Sequence, residues 1–292
     1  MPLDLIDSVP ALPARLASGH KGTFGRVLLV AGSWGMTGAA ILAGRSALRS
    51  GAGLVYVATP ECCVPLIAGG EPSYLTIPLP EVRPGVLQAT ASDVAFQATS
   101  GMNAVGIGPG LGQGAHVDTV VRGMYANCVA PGVVDADALN LLAQADCSNW
   151  STHAAPRILT PHPGEFAKIT GQTIEAIQSD RVGLAADFAA QHDVVIVLKG
   201  AGTVITDGTR YAINATGNSG LATGGSGDVL TGVITALLGQ GMLPFEAARL
   251  GVHLHGLAGD LAARGLTEYG VIASDLPDCL PAAFRAHLDQ TS

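Results

Sequence analysis

Residues 214–232 read NATGNSGLATGGSGDVLTG, a glycine-dense turn running directly into an apolar, helix-forming stretch. Glycine is costly near a helix, so Gly224, Gly225 and Gly227 at a helix opening need a compensating reason. A close anionic ligand supplies one: the turn aims main-chain N–H groups inward and the helix adds the positive end of its dipole. The segment reads as an anion hole for phosphate. Asp228 stands at the helix start, where it either caps the helix or takes a proton from a bound hydroxyl, preparing that oxygen to attack a terminal phosphoryl group. A structural glycine turn with Asp228 as a cap is the plainer alternative. The GxxxxGK[ST] loop of Walker-type ATPases is excluded, because no lysine follows the glycines.

The rest of the chain alternates strand and helix patterns. GRVLLVA (Gly25 to Ala31) is a strand, SWGMTG a glycine loop, AAILAGRSALRSGA a helix, and LVYVATP a buried strand stopped by Pro60. Residues 61–100, rich in proline, predict an excursion or an irregular edge. The pattern then resumes with NAVGI entering GPGLG, PGVVDADALNLL as strand and helix, and APRILTPHPGEFAKI as a strand ending in a polar loop. QHDVVIVLKGAGTVITDG gives two strand-like runs around KGAG, with a hairpin at the Asp207–Gly208 turn, and two long helices follow Gly227. No internal repeat is evident. The expectation is one α/β domain over 1–292, with a central mostly parallel sheet flanked by helices and its strand-end loops facing one crevice.

Those loops carry the remaining polar candidates. GSWGMTG (32–38) does not complete the dinucleotide fingerprint GxGxxG, which weakens a redox Rossmann reading; its glycines with Ala39 and Ala40 still admit a flat ring or ribose close to the backbone. GPGLG (108–112) is stiffened by Pro109 and offers main-chain contacts to a phosphate or carboxamide. In TPHPGE (160–165) two prolines hold the loop around His162 extended; His162 is placed to hold substrate, and Glu165 to organise water, a metal or the loop, or to cap the next helix. Lys199 either meets phosphate or pairs with an acidic residue at the sheet end. Asp135 and Asp137 form a strand-end acidic site or a helix cap, and Asn214 and Asn218 orient polar groups or form local Asx turns. His253 and His255, two apart, do not share a helix face, so no metal site is assigned to them, and magnesium would be carried mainly by phosphate and water.

Composition sets the outer bounds. With 15 Lys+Arg against 23 Asp+Glu and a net charge of −8, the chain has no cationic field for nucleic acid or an anionic membrane. Its 48% apolar residues with 13% charged predict large areas hidden by packing or by subunit contact, and a homo-oligomer is expected, with a tetramer among the arrangements allowed. Cys62, Cys63, Cys128, Cys147 and Cys279 contain no CxxC spacing and predict reduced thiols. The first residues, with Asp4 and Asp7 ahead of any basic residue, do not form a signal peptide, and no apolar run reaches the ~20 residues of a spanning helix. The expected location is cytoplasmic.

Taken together, KGTFGRVLLVAGS, GPGLG, TPHPGEF, LKGAGTVITDG and GNSGLATGGSGDVLTG resemble the ADP/ATP-dependent NAD(P)H-hydrate dehydratases, a branch of the ribokinase-like superfamily, from about Lys21 to Leu288. The resemblance implies a ribokinase-like three-layer sandwich and removal of water from hydrated NADH or NADPH (NADHX, NADPHX), with ADP or ATP as co-substrate and Mg2+. It implies substrate contacts at Ala39, Gly110, Gly112, His162, Asn218 and Asp228, nucleotide contacts at Lys199, Gly200, Ala201, Gly202, Thr203, Gly224, Gly225 and Gly227, and Asp228 as catalytic base. ADP is the expected nucleotide, with ATP, or a plain ribokinase-like small-molecule kinase, as the alternatives. The epimerase domain that precedes this unit in larger relatives is not expected here, which makes a separate NAD(P)H-hydrate epimerase a functional partner.

Overall fold

The computed structural model describes residues 3–144 and 150–291. The chain runs β1 (Asp4–Leu5), β2 (Arg26–Val30), α1 (Thr37–Arg49), β3 (Leu54–Pro60), α2 (Val64–Gly70), β4 (Leu75–Leu79), β5 (Glu81–Arg83), β6 (Val86–Leu87) and α3 (Ala91–Ala98). It continues through β7 (Ala104–Ile107), α4 (Ala115–Asn127), β8 (Gly132–Val134), α5 (Ala136–Ala143), β9 (Arg157–Leu159), α6 (Pro163–Thr170), α7 (Ile174–Ser179) and α8 (Arg181–His192). The last part is β10 (Val195–Leu198), β11 (Val204–Thr206), β12 (Arg210–Ile213), α9 (Ser226–Gly239), α10 (Pro244–Gly270) and α11 (Leu276–Thr291). Within α10 the backbone breaks at Thr267, which is left-handed at φ 61°.

Ten strands form one sheet in the order β1-β12-β11-β10-β9-β8-β7-β2-β3-β4. Every pairing in it is parallel except β10 with β11 and β11 with β12. The hairpin expected at Asp207–Gly208 is therefore present, and the two strand-like runs around KGAG pair antiparallel as well. The proline-rich stretch 61–100 is partly regular: β4 pairs in parallel along the sheet edge, and β5 with β6 makes a small separate hairpin. The N-terminal residues join the sheet too, through the exposed strand β1 beside β12, and Ile6 and Leu12 pack partly buried against the core.

The alternation along β2 shows why three layers form. Val27 and Leu29 enter one buried cluster with residues of α1, α9, α10 and α11, while Leu28 and Val30 enter another with residues of α3, α4, α5, α6 and α8. Successive side chains on a strand point to opposite faces, so a strand apolar on both faces needs helices on both. From β2 the chain steps to β3 on one side and later to β7 on the other, with α1 and α4 on opposite faces. That divergence opens a crevice beyond the strands' carboxyl ends. The loops after β2 and β7 meet there, with Gly32 N–H donating to the Pro109 carbonyl at 2.8 Å.

Cys62, Cys63, Cys128 and Cys279 are free thiols. Cys147 lies outside the described residues.

Candidate active site

Five strand ends supply the site. β2, β7, β8, β9 and β10 are followed by the loop before α1, the GPGLG turn, Asp135, the His162 loop and Lys199. A sixth wall is the opening of α9. Gly225 is its N-cap, left-handed at φ 95°, a conformation a Cβ would strain. No side chain caps this end, so Asp228, the third residue of the helix, is left with its carboxylate free of capping. The uncapped first turn presents N–H groups and the positive end of the dipole toward the crevice, as an anion hole requires.

Beneath that turn lies a buried polar cluster. Lys199 Nζ donates to Asp135 Oδ1 at 2.8 Å and lies 3.9 Å from Glu165 Oε2. The Thr231 hydroxyl, one turn into α9, donates to Asp135 Oδ2 at 2.8 Å. Of the two uses open to Lys199, the structure shows the ion pair. Burial opposes its charge, yet Asp135 and Glu165 override that and hold the ammonium above the usual lysine range. Gly227 permits this proximity: a Cβ there would sit 3.2 Å from Lys199 Nζ and 3.5 Å from Asp135 Oδ2.

Asp228 responds to the same surroundings. Burial first, then the charges of Asp135, Asp137 and Glu165, push its carboxyl up to about 7, with Lys199 acting in the opposite sense. A carboxylate poised near neutrality is suited to accept a proton from an alcohol.

The neighbouring loops lock onto this cluster. Ala136 is left-handed at φ 49°, which separates two acidic side chains: Asp135 turns to Lys199, while Asp137 accepts from Gly112 N–H at 2.8 Å and from the Gln113 amide at 3.1 Å. Gly110 packs on α1, so that a Cβ there would lie 2.8 Å from the Ala39 Cβ. His162 and Glu165 form a capping box at α6. His162 Nδ1 accepts from Gly164 and Glu165 N–H, and Glu165 Oε2 accepts from His162 N–H at 2.8 Å. The capping reading of Glu165 thus holds, while the His162 ring stays 58% exposed at the crevice edge, free to meet a ligand.

Gly200, Ala201, Gly202 and Thr203 form the turn between β10 and β11, fastened by Thr203 Oγ1 donating to the Gly200 carbonyl at 2.9 Å. Arg181, at the start of α8, donates to the Leu198 carbonyl at 2.8 Å from beneath this turn. Asn218 stands apart from the acidic cluster. Its Oδ1 accepts from Gly220 N–H and its Nδ2 donates to Asp260, both at 2.9 Å, which is the local Asx arrangement. Asn214 is likewise spent locally, on the Thr216 carbonyl and hydroxyl. His253 and His255 part as their spacing requires. His253 meets His287 edge-on, while buried His255 meets the hydroxyl and carbonyl of Ser226 at 3.2 and 3.0 Å. Burial drives the His255 ring down to about 4, so it is neutral under the α9 opening.

Sequence reasoning passed over Arg181, Thr231 and the Ser226 contact of His255. Thr231 lies inside the glycine motif of residues 214–232, one turn after Gly227, where its spacing is a usable signal; Arg181 has no such signal.

A central, mostly parallel sheet between two helical layers, with a carboxylate at an uncapped helix opening, defines a ribokinase-like protein. The family model for NAD(P)H-hydrate dehydratase matches residues 27–282, and the chain belongs to that family. It is 47% identical to the bifunctional NAD(P)H-hydrate repair enzyme Nnr of Moorella thermoacetica over 94% of its own length, and spans about half (52%) of that relative. It is 40% identical to the ADP-dependent (S)-NAD(P)H-hydrate dehydratase of Bacillus subtilis, covering 94% of each chain. A crystal structure of the ADP/ATP-dependent NAD(P)H-hydrate dehydratase from Bacillus subtilis, co-crystallised with ATP and Mg2+, superposes with a TM-score of 0.81 at 36% identity, covering 94% of both chains.

Proposed function

We propose that this protein is an ADP-dependent (S)-NAD(P)H-hydrate dehydratase, which returns NADHX and NADPHX to NADH and NADPH. The observation that carries the reading is the free Asp228 carboxylate, raised to about 7, beside the uncapped opening of α9. The ring hydroxyl of the hydrate gives its proton to Asp228 as its oxygen attacks the terminal phosphorus of ADP. The bond from that phosphorus to the bridging oxygen breaks and AMP leaves, while first-turn N–H groups stabilise the transferring charge. The ring nitrogen then expels the new phosphate with its electron pair, and loss of a proton from the adjacent carbon restores the double bond.

In this reading Ala39, Gly110, Gly112 and His162 border the dinucleotide, and Lys199 to Thr203, with Gly224, Gly225 and Gly227, border the adenine nucleotide. Asn218 shapes the loop through Asp260. Among the described residues no group of three or more His, Cys, Asp or Glu side chains is arranged to hold a metal. Mg2+ fits the site as a companion of the nucleotide, held by phosphate oxygens and water, where it would neutralise phosphate charge. The opposite epimer of the hydrate would call on an epimerase as functional partner. The apolar, weakly charged composition supports self-association of the chain. Among the described residues no helix is long and apolar enough to cross a membrane.

The test is incubation with (S)-NADHX, Mg2+ and either ADP or ATP. Recovery of the near-ultraviolet absorbance of NADH with release of AMP and inorganic phosphate is expected with ADP. A stable phosphoester instead would identify a small-molecule kinase, and neither product would remove the dehydratase assignment. Faster turnover with ATP would reverse the nucleotide preference alone.

A further inference from the structure

We propose that Asp135 is a positioning residue of this reaction: it clamps the Lys199 ammonium and the Thr231 hydroxyl beneath the first turn of α9, and so sets where the phosphoryl group meets Asp228. The inference rests on the reading of Asp228 as the base. Asp135 is 1% exposed and directly follows β8 at the centre of the sheet, so its carboxylate is held by packing on all sides. Its two oxygens are divided, one to Lys199 and one to Thr231, both at 2.8 Å. One carboxylate thereby ties the end of β10 to α9, two elements whose relative distance decides whether a phosphate can touch both Lys199 and the helix opening.

The backbone is built for this clamp. Ala136 is held left-handed at φ 49°, and strain of that kind persists where surrounding structure over-determines it. Here it lets consecutive strand-end acids point in different directions, Asp137 to Gly112 and Asp135 to Lys199. A relaxed residue at 136 would turn one of them away.

Asp135 acts on Asp228 electrostatically as well as sterically. The charges that bear on Asp228 are Asp135 at the end of β8, Asp137 on α5, Glu165 on α6 and Lys199 after β10, with neutral His255 of α10 against Ser226. Asp135 contributes the largest charge effect among them, and it keeps Asp228 basic at neutral pH.

The experiment compares the full chain with Asp135→Asn and Thr231→Val, both nearly isosteric. Turnover of (S)-NADHX is followed across pH, ADP affinity by calorimetry, and folding by thermal midpoint. For Asp135→Asn the expected result is a fall in kcat on the order of 10²-fold, with the acidic limb of kcat/KM moved down by about one pH unit, because a like charge has been removed from Asp228. Thr231→Val should lower kcat by roughly tenfold, keep ADP affinity within about threefold and leave the limb in place, since it loosens the clamp without changing charge. A fall in Asp135→Asn activity that follows lost thermal stability with an unmoved limb would overturn the proposal, as would full activity in both variants. Failure of the dehydratase reading would look different: the parent itself would then leave (S)-NADHX unconverted.

Discussion

Asp228→Asn is expected to make the protein more stable while greatly slowing its chemistry. Burial and the neighbouring acids raise the Asp228 carboxyl from 3.8 to about 7. At about 1.4 kcal/mol per unit, the ionised form carries a penalty of about 4 kcal/mol at pH 8. In the unfolded chain the group ionises in the ordinary carboxylate range, whereas the folded protein holds its proton up to about 7. Its contribution to stability is therefore full below that ordinary range and is lost as pH rises toward about 7. Asparagine escapes the titration but still buries an amide, so about half the penalty, roughly 2 kcal/mol, should be recovered. That corresponds to a thermal midpoint higher by about 4–8 °C at pH 8, an advantage that should vanish by about pH 5. In parallel, turnover of (S)-NADHX should fall by on the order of 10²-fold or more, with ADP affinity changed little. The measurement is a pair of melting curves over a pH series beside steady-state rates. A variant no more stable than the parent at pH 8, or a gain independent of pH, would refute the account of Asp228 as a buried, disfavoured carboxylate.

For the parent, kcat/KM should rise with pH through about 7, because the base must be unprotonated; a flat profile from pH 5 to 8 would contradict this. Gly227→Ala should weaken ADP binding by roughly tenfold, read by calorimetry, because its methyl would stand 3.2 Å from Lys199 Nζ, where phosphate must approach. Gly232→Ala should destabilise the fold by about 3 kcal/mol in denaturant titration, because a Cβ there would fall 2.1 Å from the Ala43 carbonyl where α9 crosses α1.

Much of the site was readable from the chain itself because its chemistry is local. The order of strand, glycine turn and helix is written in hydrophobic runs and in glycines, and each run acts over a handful of neighbouring residues. GRVLLVA became β2, the KGAG hairpin formed, and α9 opened at the glycines that mark it. The α9 opening also resolved one ambiguity against simple capping, since Gly225 occupies the cap and leaves Asp228 free.

What the sequence determined by itself, then, was the succession of elements and the glycine-rich opening of α9 with Asp228 in its first turn, all set by contacts between near neighbours in the chain. Only the tertiary structure decided which distant residues gather at that opening. Lys199 could meet a phosphate or an acid, and the choice of Asp135, 64 residues away, follows from β8 lying two strands from β10. The raised carboxyl of Asp228 is of the same kind, because burial and charges arriving from other elements have no counterpart in local sequence. Pairing of strands across the sheet sets those distances, and it is a property of the whole chain.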